Sequence, residues 1–418
     1  MWPRKQLDID WADFAFGLRS FVLPARRRGI VPADWIPSDE ALVSLSVRTG
    51  WDLLLTALGL PPGSEIVMSS VTIPDMARIV EHHCLVPVPV DVDPQTLEPD
   101  VSELERSISP QTRAILVAHL FGSRIDMTPI IDIARQYRLL VVEDCAQAFV
   151  GSAYAGHPES DCSMFSFGPI KTATALGGAV LRVRDGDLRE KMALLQHAYP
   201  LQSKRAYLAR LSKYLSLRVL SKRRAYGALV RGYRALGIDY DAAFSNAAHS
   251  FGQNNFFDRI RRQPCGPLLG MLERQLNNFE QRGQARLERR AERGEELARQ
   301  LPAGMILGAE NPSHTYWALL ARVANRSEVL AALRAAGFDA TARSSLIEIA
   351  YPNDRPTNGR RRAAWLGDTI FLPNGDDMPD REWQRMLSIL CDVARAIPAA
   401  EPRRVRERLT PSRVSVPL

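Results

Sequence analysis

The 418-residue chain carries 54 Lys or Arg against 47 Asp or Glu, a formal charge of +7, with 46% hydrophobic and 24% charged residues. That balance belongs to a globular protein large enough for one or two cores, and no run of about 18 apolar residues is present to span a bilayer. Five scattered cysteines (Cys84, Cys145, Cys162, Cys265, Cys391) form no CxxC pair, so neither a disulfide framework nor a zinc site is expected.

Residues 1–40 read as an N-terminal arm. Their apolar stretch, LDIDWADFAFGLRSFVL, contains acids and lacks a signal-peptide core, which points to the cytoplasm. Residues 41–199 read as a large ligand-binding domain. Apolar runs recur as EIVMSS (65–70), PVPVDV (87–92), AILVAHLFG (114–122), LLVVEDCA (139–146), CSMFSFG (162–168) and GGAVLRV (177–183). Helical stretches such as IPDMARIVEHH, SELERSI and DMTPIIDIARQYR separate them. Strands apolar on both faces, alternating with helices, predict an α/β fold with a mostly parallel sheet covered on both sides. Ligands of such sheets sit at the carboxyl ends of the strands. His82, His83 and Cys84 are adjacent, but alternation would send them to opposite faces, so no shared metal is expected.

Residues 200–267 lose the strand rhythm and read as a basic helical insertion. Positions 204–234 hold ten Lys or Arg and no acid. Leu208, Leu211, Leu215 and Val219 recur there at helical spacing, with Arg210, Lys213, Lys222 and Arg223 interleaved. Beyond a plainly solvated face, three readings stand: the segment lies on an anionic membrane, grips a diphosphate over the active site, or packs on a partner subunit. Nucleic acid is not expected, because aromatic platforms and a reading motif are both missing. Residues 268–300 read as one long connecting helix. Residues 301–398 read as a smaller α/β domain, with a strand at TYWALLARV, a helix at RSEVLAALRAAG and a final amphipathic helix at DREWQRMLSILCDVARAI. Residues 399–418 read as a loose basic tail.

The stretch SMFSFGPIKTATALGGAVL (163–181) is apolar or small almost throughout, yet carries Lys171. An ammonium is costly to bury unpaired, whereas a neutral amine, or one bonded to an aldehyde, escapes that cost. Asp144 ends one buried strand and Ser166 ends the next. The turn Ser46-Val47-Arg48-Thr49-Gly50 opens a helix whose N-terminal amides, with Arg48, favour a phosphate. A lysine, an aspartate, a hydroxyl and a helix N-terminus together describe a site for pyridoxal 5'-phosphate. The lysine would form the Schiff base and carry protons, the aspartate would hold the ring nitrogen, and the hydroxyl and helix would hold the phosphate. Gly177 and Gly178 would let the backbone approach the cofactor. Singly, each residue has a plainer reading: Asp144 as a cap, Ser166 as a strand-end hydroxyl, Lys171 as a snorkelling lysine.

These motifs resemble the DegT–DnrJ–StrS family of sugar aminotransferases, which are fold-type I pyridoxal-phosphate enzymes. AILVAHLFGSRIDM resembles the family's H-L-Y-G turn, VVEDCAQA its E-D-x-A-Q motif, and FSFGPIKTATALGGAV its S-F-x-x-x-K stretch with the following glycines. The likeness is clear over residues 44–185 and weaker over 268–395. It implies Lys171 as the Schiff-base lysine, Asp144 as the pyridinium partner, Ser166 as a phosphate ligand and Gln147 near the ring hydroxyl, with Arg48 and Thr49 at the phosphate turn. His119 is read as structural. The resemblance further implies a homodimer that transfers an amino group, with glutamate as the expected donor, to a nucleotide-linked or otherwise sugar-like keto acceptor. Arg343, in DATARSSL, is a candidate for the donor's carboxylate. Several positions depart from the family pattern. Ser46-Val47-Arg48 replaces S-G-T, Ile73 takes the place of the ring-stacking aromatic, and Leu176 that of an acid. The N-Y-R segment has only Asn254, Asn255, Arg261 and Arg262 as candidates, and the insertion is longer than usual. Two alternatives follow. One is a pyridoxamine-dependent dehydratase, which Lys171 argues against because that branch carries histidine there. The other is a non-catalytic regulator held at a membrane by the insertion.

Overall fold

The computed structural model describes residues 1–4, 7–22, 29–243, 255–350, 364–375 and 377–395. The strands of its first half are β1 (Ala41–Ser44), β2 (Glu65–Ser69), β3 (Val71–Thr72), β4 (Val86–Val90), β5 (Thr112–Ala118), β6 (Leu140–Asp144), β7 (Cys162–Ser166) and β8 (Ala179–Val183). All but β3 form one sheet in the order β1-β8-β7-β6-β5-β2-β4. The five strands from β7 to β4 run parallel, while β8 is antiparallel to both β7 and β1. The mostly parallel α/β sheet expected from the sequence is therefore present. β1 has no counterpart among the predicted runs; four residues are too few to show a period. The PVPVDV run takes the edge position, where a proline's missing N–H breaks no ladder.

Helices α1 (Trp11–Val22), α2 (Val47–Leu58), α3 (Pro74–His82), α4 (Val101–Ser107), α5 (Thr128–Tyr137) and α6 (Gly186–His197) flank these strands. Their boundaries follow local chemistry. Ser46 caps α2 by accepting from the Thr49 amide, and Gly59 ends it in the left-handed region at φ 58°. Asp100 and Asp185 cap α4 and α6 in the same way.

The insertion supplies α7 (Lys204–Leu220), α8 (Arg223–Ala235) and α9 (Phe256–Ile260). Of the four apolar α7 positions picked out by spacing, only Leu211 is fully buried; Leu208 and Val219 stay exposed. The packing face is instead Tyr207, Leu211 and Tyr214, which join Phe14 of α1 and the sheet residues Phe165 and Val180 in one apolar cluster. A Cβ on Gly17 of α1 would already touch Leu211, so the two helices sit close. Tyr226 and Val230 of α8 pack with Tyr240.

The expected single helix over 268–300 is two: α10 (Gly266–Arg282) and α11 (Gln284–Gln300). They break at Gly283, where any Cβ would lie 2.3 Å from the Phe279 ring. The remaining elements are β9 (Leu319–Arg322), α12 (Arg326–Ala335), β10 (Ile347–Glu348), α13 (Ala364–Gly367), β11 (Thr369–Leu372) and α14 (Asp380–Arg395). β9 and β11 pair antiparallel and, with α11, α12 and α14, enclose a separate core around Trp383. β10 pairs with β3, tying this half to the segment that follows β2. The tail at 399–418 lies outside the described residues. Among the described residues no helix is long and apolar enough to cross a membrane.

Gly294 of α11 faces Tyr316, whose ring would come within 2.2 Å of an added Cβ. Helix propensity favours Gly→Ala by about 1 kcal/mol, but overpacking against a ring costs about 1–3 kcal/mol. Gly294→Ala is therefore expected to lower stability, by about 1 kcal/mol on balance, in urea unfolding.

Candidate active site

Parallel register aligns the carboxyl ends of β5, β6 and β7, with Ala118 opposite Asp144 and Asp144 opposite Met164. Asp144 closes β6 and Ser166 closes β7. Lys171 follows β7 on a loop that turns back into β8. Its Nζ lies 4.5 Å from the centre of the Trp317 ring, and Trp317 Nε1 donates to the Ile170 carbonyl at 3.2 Å.

The electrostatics are those of charges short of water. Desolvation pushes the Lys171 ammonium down to about 8; the Asp144 charge opposes the shift and the Arg48 charge adds to it. Asp144 moves the other way. Its burial raises the carboxyl above its ordinary range, against the Ala146 amide bond and the charges of Lys171, His119 and Arg48. Ala146 N donates to it at 3.0 Å. The sequence candidates Lys171, Asp144 and Arg48 thus act on one another across one site.

Beneath Asp144 lies a buried network. His119 Nδ1 accepts from Ile125 N at 3.2 Å, which leaves Nε2 to donate to Glu143 at 2.8 Å. Glu143 also accepts from Tyr154, from Ser163 at 3.0 Å and from His157 N at 2.7 Å. Burial alone would raise Glu143, but His119 and Tyr154 bring it down to about 2.

The remaining candidates divide. Arg48 Nε pairs with Asp75 of α3. The Thr49 hydroxyl donates to the Ile260 carbonyl at 2.8 Å and meets Ser46 Oγ at 3.0 Å, so it serves the helix cap. Ser166 Oγ faces Gly168 N at 3.5 Å. Gln147 Oε1 accepts from Phe121 N at 2.8 Å. Ile73 is half-buried at the start of α3, against the core. Arg343 is brought to Asp239 at 2.7 Å and Asp241 at 3.8 Å. Arg261 grips the buried Asp52 of α2 through two bonds of 2.9 Å, and Arg262 donates to Asp258 O. Asn254 lies outside the described residues. The atoms nearest a Cβ on Gly177 belong to Arg210 and Leu268. Trp317, Asp75 and Glu143 were not singled out from sequence. Trp317 is some 150 residues from Lys171 in the chain, and no local pattern links them.

A half-buried carboxylate raised by desolvation is matched by a protonated ring nitrogen, and a desolvated amine by an aldehyde, so this donor set fits pyridoxal 5'-phosphate. The architecture is that of the fold-type I pyridoxal-phosphate enzymes. The chain superposes on the aminotransferase TlmJ of Streptoalloteichus hindustanus with TM-score 0.68, over 95% of this chain and 99% of that one, at 20% identity. Residues 33–212 match the DegT/DnrJ/EryC1/StrS aminotransferase family, bearing out the resemblance seen in the motifs. A GDP-perosamine synthase of Caulobacter vibrioides is 39% identical over 167 residues, 39% of this chain and 45% of that protein. A UDP-4-amino-4-deoxy-L-arabinose–oxoglutarate aminotransferase of Shewanella sediminis is 34% identical over 157 residues, 37% and 40% respectively. The matched segments thus span less than half the length of these relatives.

Competitive acylation of Lys171 in the full chain, free of cofactor, should titrate with a midpoint near 8. Asp144→Asn removes the charge that holds the proton on, so the midpoint should fall. Arg48→Gln removes a repelling charge, so it should rise.

Proposed function

We propose that the protein is a pyridoxal-phosphate-dependent aminotransferase that moves an amino group, from glutamate as donor, onto the keto group of a nucleotide-linked sugar. The observation that carries this is Lys171, on the loop that follows β7, set in the field of Asp144 at the end of the adjoining β6, with the amine lowered and the carboxyl raised by desolvation. Bound pyridoxal phosphate supplies an electron sink that acidifies the substrate's α-carbon. The chain's own residues do the rest. Asp144 would hold the ring nitrogen's proton, with the Glu143–His119 network fixing the strand ends beneath it. Lys171 Nζ, with a pKa near 8, is neutral often enough at mildly alkaline pH that it would hold the aldehyde as an imine, with loss of water, and when free would take and return a proton. Trp317 covers that amine. Ser166, Arg48 and the N-terminus of α2 would hold the phosphate, and Gln147 would hold the ring's hydroxyl. Arg343 is kept as the candidate for the donor carboxylate, which would have to compete with Asp239 for it. The GDP and UDP in the names of two relatives support a nucleotide-linked acceptor.

The test is a half-reaction. Purified protein is expected to be yellow, and borohydride should fix the cofactor on Lys171. After conversion to the amine form, one of a panel of nucleotide-linked keto sugars should restore the original absorbance. Lys171→Ala should lower that rate by about 10²–10⁴-fold. A colourless protein that takes up no cofactor, or a panel that restores nothing, overturns the reading.

A homodimer and a peripheral station at an anionic membrane face complete the proposal. The membrane reading is supported by the acid-free charge of 204–234 and by exposed Leu208, Val219 and Leu220 on α7. Co-sedimentation with phosphatidylserine vesicles at low salt should be strong and should fade as salt rises. Protein left in the supernatant at low salt removes the membrane, and a monomer mass in solution removes the dimer.

A further inference from the structure

The loop carrying Lys171 contains two non-glycine residues in the left-handed region, Ala173 at φ 51° and Leu176 at φ 62°. Such backbone persists only where its surroundings over-determine it. Part of the restraint is internal. Thr174 Oγ1 donates to Gly168 O at 2.6 Å and accepts from Leu176 N at 2.9 Å, while Ala175 N and Gly177 N both reach Phe167 O. The rest comes from two elements outside the sheet. Asp8 of the N-terminal arm accepts from Ala173 N at 2.7 Å and is itself held by Arg286 of α11 at 2.6 Å, with Arg286 also bonded to Asp10. From α7, Tyr207 donates to Ala175 O at 2.8 Å and Arg210 to Leu176 O at 3.1 Å. Tyr207 is fully buried and stacked on Phe21 of α1.

We infer that Asp8, Tyr207 and Arg210 are positioning residues, which clamp the backbone two to five residues beyond Lys171 and thereby fix where its amine stands. The basic insertion then has a role at the active site. It lies behind the lysine loop and sets its shape. Asp8 fits this role because a carboxylate can take an amide on one oxygen and a guanidinium on the other. The inference rests on the reading of Lys171 as the reacting amine, but its test needs no cofactor.

The experiment measures amide hydrogen exchange over residues 168–178, together with the acylation midpoint of Lys171, in the full chain without cofactor. Tyr207→Phe keeps the ring packing and deletes one O–H. Asp8→Ala deletes the amide's acceptor. In both, exchange at 173–177 should quicken by about five- to tenfold relative to the strands β5 and β6. The Lys171 midpoint should rise as water reaches the amine. Asp8→Asn keeps an acceptor oxygen and should recover most of the protection. Two results overturn the inference. One is unchanged exchange and midpoint in folded Asp8→Ala and Tyr207→Phe. The other is faster exchange spread evenly over β5 and β6 as well, which marks general loss of stability. Should the wild-type chain fail to bind pyridoxal phosphate, the proposed function falls while these exchange results still decide the clamp.

Discussion

A lysine and an aspartate, each half-buried and short of water, face one another's field at the carboxyl edge of a parallel sheet. Neither is at ease alone. The amine gives up its proton more readily than a solvated lysine would, and the carboxyl holds its own more firmly. That shared discomfort is the constraint around which the rest is arranged. The sheet supplies rigid strand ends, and the Glu143–His119–Tyr154 network, with every partner hydrogen-bonded, keeps them from relaxing toward water. A ligand that brings a protonated nitrogen to one group and a carbonyl carbon to the other relieves both at once, so binding and chemistry draw on the same stored imbalance.

The surrounding protein is built to hold that imbalance in place. The lysine loop turns through left-handed backbone twice, and its external bonds come from segments far apart in the chain: residue 8, residues 207 and 210, and residue 317. Asp8 in turn depends on an arginine of α11. Charge is handled similarly elsewhere. Asp52, fully buried in α2, is matched by Arg261 and His83, which pins the end of the insertion to the helix that Ser46 caps. The N-terminal arm and the insertion are thus joined to the centre, at the lysine loop by hydrogen bonds to main-chain atoms and at α2 by an ion pair.

What the sequence disclosed follows the range of the interactions involved. The parallel sheet was legible because runs such as LLVVEDCA are apolar on both faces, a property written in consecutive residues. Asp144 and Ser166 were legible because each sits at the end of such a run, and Lys171 because it is the one lysine in a stretch of apolar and small residues. Contacts made over long separations left no local trace. Trp317 over Lys171, Asp75 on Arg48 and Asp8 under Ala173 are examples. Spacing caught only part of the inner face of α7, Leu211 and Leu215. It counted leucines, whereas Tyr207 and Tyr214, which carry hydroxyls and so read as half-polar, do the packing. The unbroken helix over 268–300 failed at Gly283, whose backbone stays in the right-handed helical region, so the apolar pattern runs on through the break.

The proline-bearing border strand has a consequence for how copies of the chain can meet. In β4 the Val86 amide points inward to Ser64, so by alternation the nitrogens of Pro87 and Pro89 face away from the sheet. Proline has no hydrogen there to give. That rim offers an incoming strand carbonyls without the matching donors, and ribbon-like stacking of sheets from molecule to molecule is thereby discouraged. Any self-association at this margin is left to side chains, which can be selective where an open backbone ladder could not.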